Sequence, residues 1–147
     1  MADVKLNPLQ EADLATIQRW FADKETRNRI SYPSHRWFAF VSSEPNQSAW
    51  LAYDEDQPIG YIQCERGADA AVTFLFVVRP GMRNKGYGKE LLRSMLALPE
   101  LADAHALWGA VERDNVASIR CAEAVGFMAE PYDDEPTMLK MVWRRKP

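Results

Sequence analysis

The sequence predicts an α/β domain built on a mixed β-sheet of about seven strands with about four helices. Three observations lead there. Strand-like runs alternate with helical periodicities along the whole chain, the pattern of layered α/β proteins. One run, Ala71 to Val78, is apolar almost throughout, as a strand covered on both faces would be. A segment rich in glycine and basic residues, Arg79 to Gly88, joins that run to an amphipathic helix.

The elements follow in order. Val4 to Asn7 reads as a short strand that Pro8 ends. Leu14, Ile17, Trp20 and Phe21 recur at helical spacing from about Glu11 to Asp23, and Lys24 to Pro33 reads as irregular. Ser34 is placed to cap a second helix carrying Trp37, Phe38 and Val41, broken at Pro45-Asn46. Trp50-Leu51-Ala52-Tyr53 and Ile59-Gly60-Tyr61-Ile62 make a hairpin across the polar turn Asp54 to Pro58. A turn at Arg66 to Asp69 leads into the apolar strand. Leu91, Leu92, Met95 and Leu96 line the third helix, which Pro99 ends. Ala106 to Glu112 is the fifth strand. Val116, Ile119, Ala122 and Val125 mark a further helix, with Gly126 as its C-terminal cap. Phe127 to Pro131 and Thr137 to Trp143 complete the sheet. A length of 147 residues suits one hydrophobic core, so a single domain over residues 1–147 is expected.

Composition narrows the function. With 47% hydrophobic and 27% charged residues, the chain has an ordinary globular balance, far from disorder. The net charge of −3, with both signs mixed along the chain, argues against nucleic acid as a partner. It weakly favours a cationic small substrate. Cys64 and Cys121 have neither metal-ligand spacing nor company for a disulfide framework, which fits a reducing compartment and no metal site. Met1 to Lys5 lacks the apolar segment of a secretory leader, and no apolar run approaches the roughly 20 residues that cross a bilayer. The expected protein is cytoplasmic and soluble, with no membrane partner.

The most informative stretch is Val78-Arg79-Pro80-Gly81-Met82-Arg83-Asn84-Lys85-Gly86-Tyr87-Gly88-Lys89. At such a strand-to-helix turn, unpaired N–H groups point outward and the helix dipole adds partial positive charge. Gly86 and Gly88 lack Cβ atoms, so an anion can approach the backbone, and Arg83, Lys85 and Lys89 add charge. Together they form a diphosphate site. Neither the Walker form nor the dinucleotide form G-x-G-x-x-G is present. A lone Gly-x-Gly after a strand is also what a plain tight turn looks like.

The pattern Val78-x-Pro80-x-x-Arg83-x-x-Gly86-x-Gly88 resembles the acyl-CoA-binding signature of the GNAT superfamily of N-acetyltransferases. Asn115-x-x-Ser118, followed by Gly126-Phe127, resembles that family's second block at the family spacing, and the element order agrees over nearly the whole chain. Pro58-Ile59-Gly60-Tyr61 and Ile119-Arg120-Cys121 are similar to aminoglycoside N-acetyltransferases. Leu14 to Asp23 is similar to those enzymes and to ribosomal-protein alanine acetyltransferases. Leu75, however, stands about where an aminoglycoside enzyme would carry an acidic residue.

The resemblance implies a GNAT fold, acetyl-CoA as co-substrate, and direct transfer of its acetyl group to a primary amine in a ternary complex. The amine would belong to a small molecule or a peptide N-terminus, and a homodimer is allowed. Backbone amides of Arg83, Asn84, Lys85, Gly86, Tyr87, Gly88 and Lys89 would cradle the diphosphate. The preceding strand would splay from its neighbour, with Val77 and Val78 along the pantetheine arm and Phe76 N–H polarising the thioester carbonyl, as an oxyanion-hole donor does. Asn115 and Ser118 would lie near the CoA arm, although Asn115 is also a good helix N-cap.

Many family members place a tyrosine seven residues after the asparagine to protonate the leaving sulfur; here that position is Ala122. Tyr132 and Tyr87 are candidate substitutes, although either could instead be a packing aromatic. An alkylammonium with a pKa of about 10 must lose its proton before attack. Glu112 and Glu65, at strand ends, and His35 are candidates for that base, and each is also readable as a solvated surface group. The acidic loop Asp133-Asp134-Glu135 could attract an amine or be a plain turn. An alternative within the same fold is a non-catalytic acyl-CoA-binding module.

Overall fold

The structure, a computed structural model, describes residues 3–146. Met1 and Ala2, on which part of the leader expectation rests, lie outside the described residues. The strands are β1 (Val4–Pro8), β2 (Gln47–Asp54), β3 (Gln57–Arg66), β4 (Ala71–Val78), β5 (Ala106–Glu112), β6 (Met128–Pro131) and β7 (Met138–Arg144). The α-helices are α1 (Leu14–Arg19), α2 (Lys24–Arg29), α3 (His35–Ser43), α4 (Tyr87–Leu96) and α5 (Val116–Val125). All seven strands join one sheet in the order β1-β2-β3-β4-β5-β7-β6, mixed because β4 and β5 run parallel.

Two apolar clusters sandwich the sheet. On one face Leu91, Leu92 and Met95 of α4 and Ala122 of α5 pack on Ile59, Ile62, Val72, Leu107 and Met141. On the other, Leu14, Ile17, Trp20 and Phe21 from the first helical segment cover Leu51, Tyr61 and Val77. Gly60 allows the close approach of α4. A Cβ there would stand 2.4 Å from Val77 O and 2.8 Å from Leu91 Cδ1.

Several boundaries differ from expectation. The helix over Glu11 to Asp23 is α1 flanked by 3-10 turns at Glu11–Asp13 and Trp20–Ala22. The stretch expected to be irregular contains α2, whose sequence KETRNR has no apolar residue and therefore no periodicity to read. Its start is set instead by Asp23, whose carboxylate accepts from Thr26 N–H at 3.0 Å. Strand β2 begins at Gln47, ahead of Trp50, because Gln47, Ser48 and Ala49 find register partners in Glu65, Cys64 and Gln63. Pro58, expected in the turn, lies inside β3 next to a register shift between Ala52 and Tyr53. Ser34 caps α3 as expected, accepting from Trp37 N–H at 3.1 Å.

Strand β4 departs most usefully. Expected to be covered on both faces, it buries Val72 and Val77 but leaves Phe74, Leu75 and Phe76 half-buried. Its apolar middle lines an opening in the sheet.

Candidate active site

The opening arises where β4 loses a neighbour. Its register with β3 continues to Val78, but its register with β5 ends at Thr73↔Trp108. Arg79 N–H donates to Ile59 O at 2.8 Å, on the β3 side. Successive N–H groups of an extended strand point to opposite edges, so those of Val78 and Phe76 face the opening. By the same alternation Val77, paired with Tyr61, turns its backbone groups toward β3, and its side chain is buried under α1. Val77 is thus removed from the expected cofactor contacts.

The loop after β4 presents backbone amides. Gly81, Asn84 and Gly86 adopt left-handed φ values of 89°, 62° and 85°. Left-handed residues interleaved with right-handed ones turn successive N–H groups into a concavity suited to an anion. Gly86 is the N-cap of α4 and supplies no side-chain cap, so the first helical N–H groups remain free to serve a ligand. A Cβ on Gly86 would meet nothing within 4 Å. Lys85 and Lys89 are exposed beside this concavity.

Gly88 has a packing role that the sequence did not show. It is buried, and a Cβ there would stand 2.8 Å from Cys121 Sγ on α5 and 3.8 Å from Phe76 Cε2. Its missing side chain lets α4 and α5 meet. Arg83 is redirected. Its guanidinium donates to Asp23 Oδ2 and Thr26 Oγ1, both at 2.8 Å, instead of standing free over the loop. The Arg83 hydrogen bond, with help from Thr26 N–H, holds the Asp23 carboxyl at about 2, against an ordinary 3.8. Tyr87 donates its hydroxyl to Asp54 at the end of β2, and that bond raises its pKa. It is therefore held at the β2–β3 turn, away from the opening.

On α5, Asn115 is the N-cap, accepting from Ser118 N–H at 3.5 Å, so the structural role of both residues is realised. Ala122 is 3% exposed within the α4–α5 core. Cys121 is half-buried, and burial raises its thiol pKa. Cys64 is buried more deeply, which pushes its thiol up to about 12.

The opposite face of the opening gathers polar and aromatic side chains. Glu112 accepts from Arg29 Nη1 at 3.0 Å, and Arg29 also holds Asp114 and Glu25, at 2.7 and 2.8 Å. Glu112 is therefore an ion-paired carboxylate. Tyr132 packs on Trp108 with ring centroids 5.9 Å apart, and Lys140 Nζ lies 4.1 Å from the Trp108 ring centroid. Trp37 Nε1 donates to Gln63 at 3.0 Å, Gln63 donates to Gln47 at 2.9 Å, and Gln47 donates to Glu65 at 2.6 Å. An indole N–H can only donate, so it orients both amides and delivers an N–H to Glu65. Sequence reasoning missed Arg29, Gln47, Gln63, Trp108 and Lys140; strand alternation alone could have placed Gln63 and Trp108 on this face. His35 and the loop Asp133 to Glu135 are exposed, while Trp20, Phe21 and Trp50 are core residues.

A sheet that parts beside an amide-lined helix entrance marks this α/β domain. The chain belongs to the acetyltransferase (GNAT) family, whose model matches residues 14–127. It is 30% identical over 139 residues to the uncharacterized N-acetyltransferase YfmK of Bacillus subtilis (strain 168), covering 92% of this chain and 93% of that protein. Among solved structures it is similar to AAC(6')-Ib in complex with paromomycin and acetyl-CoA. The TM-score is 0.84 at 20% identity, over 97% of this chain and 94% of that one. It is also similar to spermidine N-acetyltransferase from Vibrio cholerae in complex with CoA and spermine. There the TM-score is 0.82 at 16% identity, over 97% and 95% of the two chains. These likenesses bear out the mixed-sheet GNAT fold, here with five α-helices among the described residues in place of about four helices. No helix among the described residues is long and apolar enough to cross a membrane.

Proposed function

We propose that this protein transfers the acetyl group of acetyl-CoA to a primary amine of a small molecule or a peptide N-terminus. The observation that carries this reading is the end of the β4–β5 ladder at Thr73↔Trp108 beside the amide concavity of Gly81 to Gly86. The residues fit the donor. Amides around Asn84 and Gly86 would take the diphosphate, and Val78 would bond the pantetheine arm. Bound acetyl-CoA supplies an activated acyl group. Phe76 N–H, facing the opening, would stabilise negative charge growing on the carbonyl oxygen.

The similar structures hold amine ligands, paromomycin and spermine, which supports an amine acceptor here. Leu75 lies at the floor of the acceptor face next to Gln63, an apolar contact that favours an acceptor with less charge than those polycations. Tyr132 is the candidate acid for the leaving thiolate, since Tyr87 is engaged by Asp54. Glu112, drawn to Arg29, would relay the amine's proton through water.

Burial of Ala122 at the usual tyrosine position favours a second reading, an acyl-CoA-binding module without turnover. Two measurements decide. Acetyl-CoA should raise the melting temperature, and release of CoA thiol should accelerate with at least one member of an amine and peptide panel. Stabilisation without release for any amine supports the module; no stabilisation sinks both.

A further inference from the structure

The six-residue helix α2 is tied by charge to both arms of the opening. At its start, Arg83, from the loop that continues β4, donates to Asp23 and Thr26 at 2.8 Å each. At its end, Arg29 donates to Glu112, the last residue of β5, at 3.0 Å and to Asp114 just beyond at 2.7 Å. Between them Arg27 donates to Phe21 O at 3.0 Å and Ala22 O at 2.7 Å, fastening α2 to the preceding helical turn. Asp23 is both the cap of α2 and the acceptor for Arg83, so one carboxylate serves the helix start and the arm contact.

Strands β4 and β5 share no register beyond Thr73 and Trp108, so no backbone ladder fixes the distance between their free ends. We infer that α2 is a strap that sets this distance, with Arg29 as the positioning residue on the β5 side. This rests on reading the opening as the acyl-donor site.

Arginine suits the task because its planar fork bonds several carboxylates at once, which a lysine ammonium does less rigidly. Its removal would leave Glu25, Glu112 and Asp114 converging on one vacated spot, so that repulsion drives the β5 end away from α2. Arms held apart at a fixed spacing need no ordering when a ligand enters, and loss of that preorganisation weakens binding.

The test compares wild type, Arg29→Met and Arg29→Lys by amide hydrogen exchange and by calorimetric titration with CoA. In Arg29→Met, amides of residues 23–30 and 112–118 should exchange about tenfold faster while those of β1 to β3 keep their protection. CoA affinity should fall about tenfold, as when a competent state becomes a minority. Arg29→Lys should restore part of both. Wild-type protection at 112–118 in Arg29→Met would overturn the strap, as would a loss spread evenly over the sheet. Equal CoA affinity in wild type and Arg29→Met would do the same. If wild type itself takes up no CoA, the donor-site reading fails, and the exchange pattern alone still decides the strap.

Discussion

Replacing Gly88 with alanine separates the two glycines of the loop. The added Cβ would stand 2.8 Å from Cys121 Sγ, with Cys121 Cβ at 3.7 Å and Phe76 Cε2 at 3.8 Å. Favourable contacts between such atoms begin at roughly 3.5 Å, so Cys121 must leave its rotamer or α4 and α5 must separate by several tenths of an ångström. Overpacking of this kind costs about 1–3 kcal/mol. Alanine's better helix propensity returns at most ~1 kcal/mol, and less in a first turn. The net expectation is a loss of about 1–2 kcal/mol, read as a lower urea midpoint at constant m-value.

Cys121→Ala removes the sulfur and leaves only ordinary contacts, so in that background Gly88→Ala should become neutral or slightly stabilising. The double-mutant cycle should therefore show a coupling of about 1–2 kcal/mol. Additivity within about 0.5 kcal/mol would refute the assignment of Gly88 to helix packing.

Gly86→Trp should behave differently. The side chain has open space, but the φ of 85° strains any L-residue by roughly 1–2 kcal/mol. A modest drop in melting temperature should accompany about a hundredfold loss of acetyl-CoA affinity by calorimetry; unchanged affinity would contradict the amide cradle. Tyr132→Phe keeps the ring on Trp108, so stability should hold within about 0.5 kcal/mol. If the hydroxyl serves the leaving thiolate, kcat should fall about tenfold or more, and wild-type turnover would remove Tyr132 from the chemistry. Asp23→Asn tests the pH dependence of the Arg83 contact. The folded pKa of about 2 lies below the ordinary 3.8, so the contact stabilises the fold above about pH 4. That contribution fades as pH falls through about 2. Asparagine still caps the helix, so the variant should lose about 0.5–1 kcal/mol near neutrality. Its stability curve should converge with wild type only below about pH 2; a constant offset across the range would argue against the linkage.

Element order, the cap at Ser34, the left-handed Gly126 and the strand-to-helix loop were legible in the sequence because each is encoded within a few residues. Hydrophobic spacing, a capping hydroxyl and a glycine needing positive φ act locally and leave local marks. Helix α2 was not legible, since an all-polar segment has no periodicity and its cap reads as one more loop aspartate.

What the tertiary structure alone decided involves partners far apart in the chain. Arg83 meets Asp23 across 60 residues, and Arg29 meets Glu112 across 83. The neighbour that requires a glycine at position 88, Cys121, sits on another helix, so the loop's own residues carry no sign of it. The ladder's end at Thr73 left no mark in the run Ala71 to Val78, whose apolar residues suit a covered strand and a ligand-lined one equally. By itself the sequence determined where a strand passes through a glycine-rich loop into a helix. Packing of distant segments determined which side chains stand around it, because only the closed sheet fixes who faces whom.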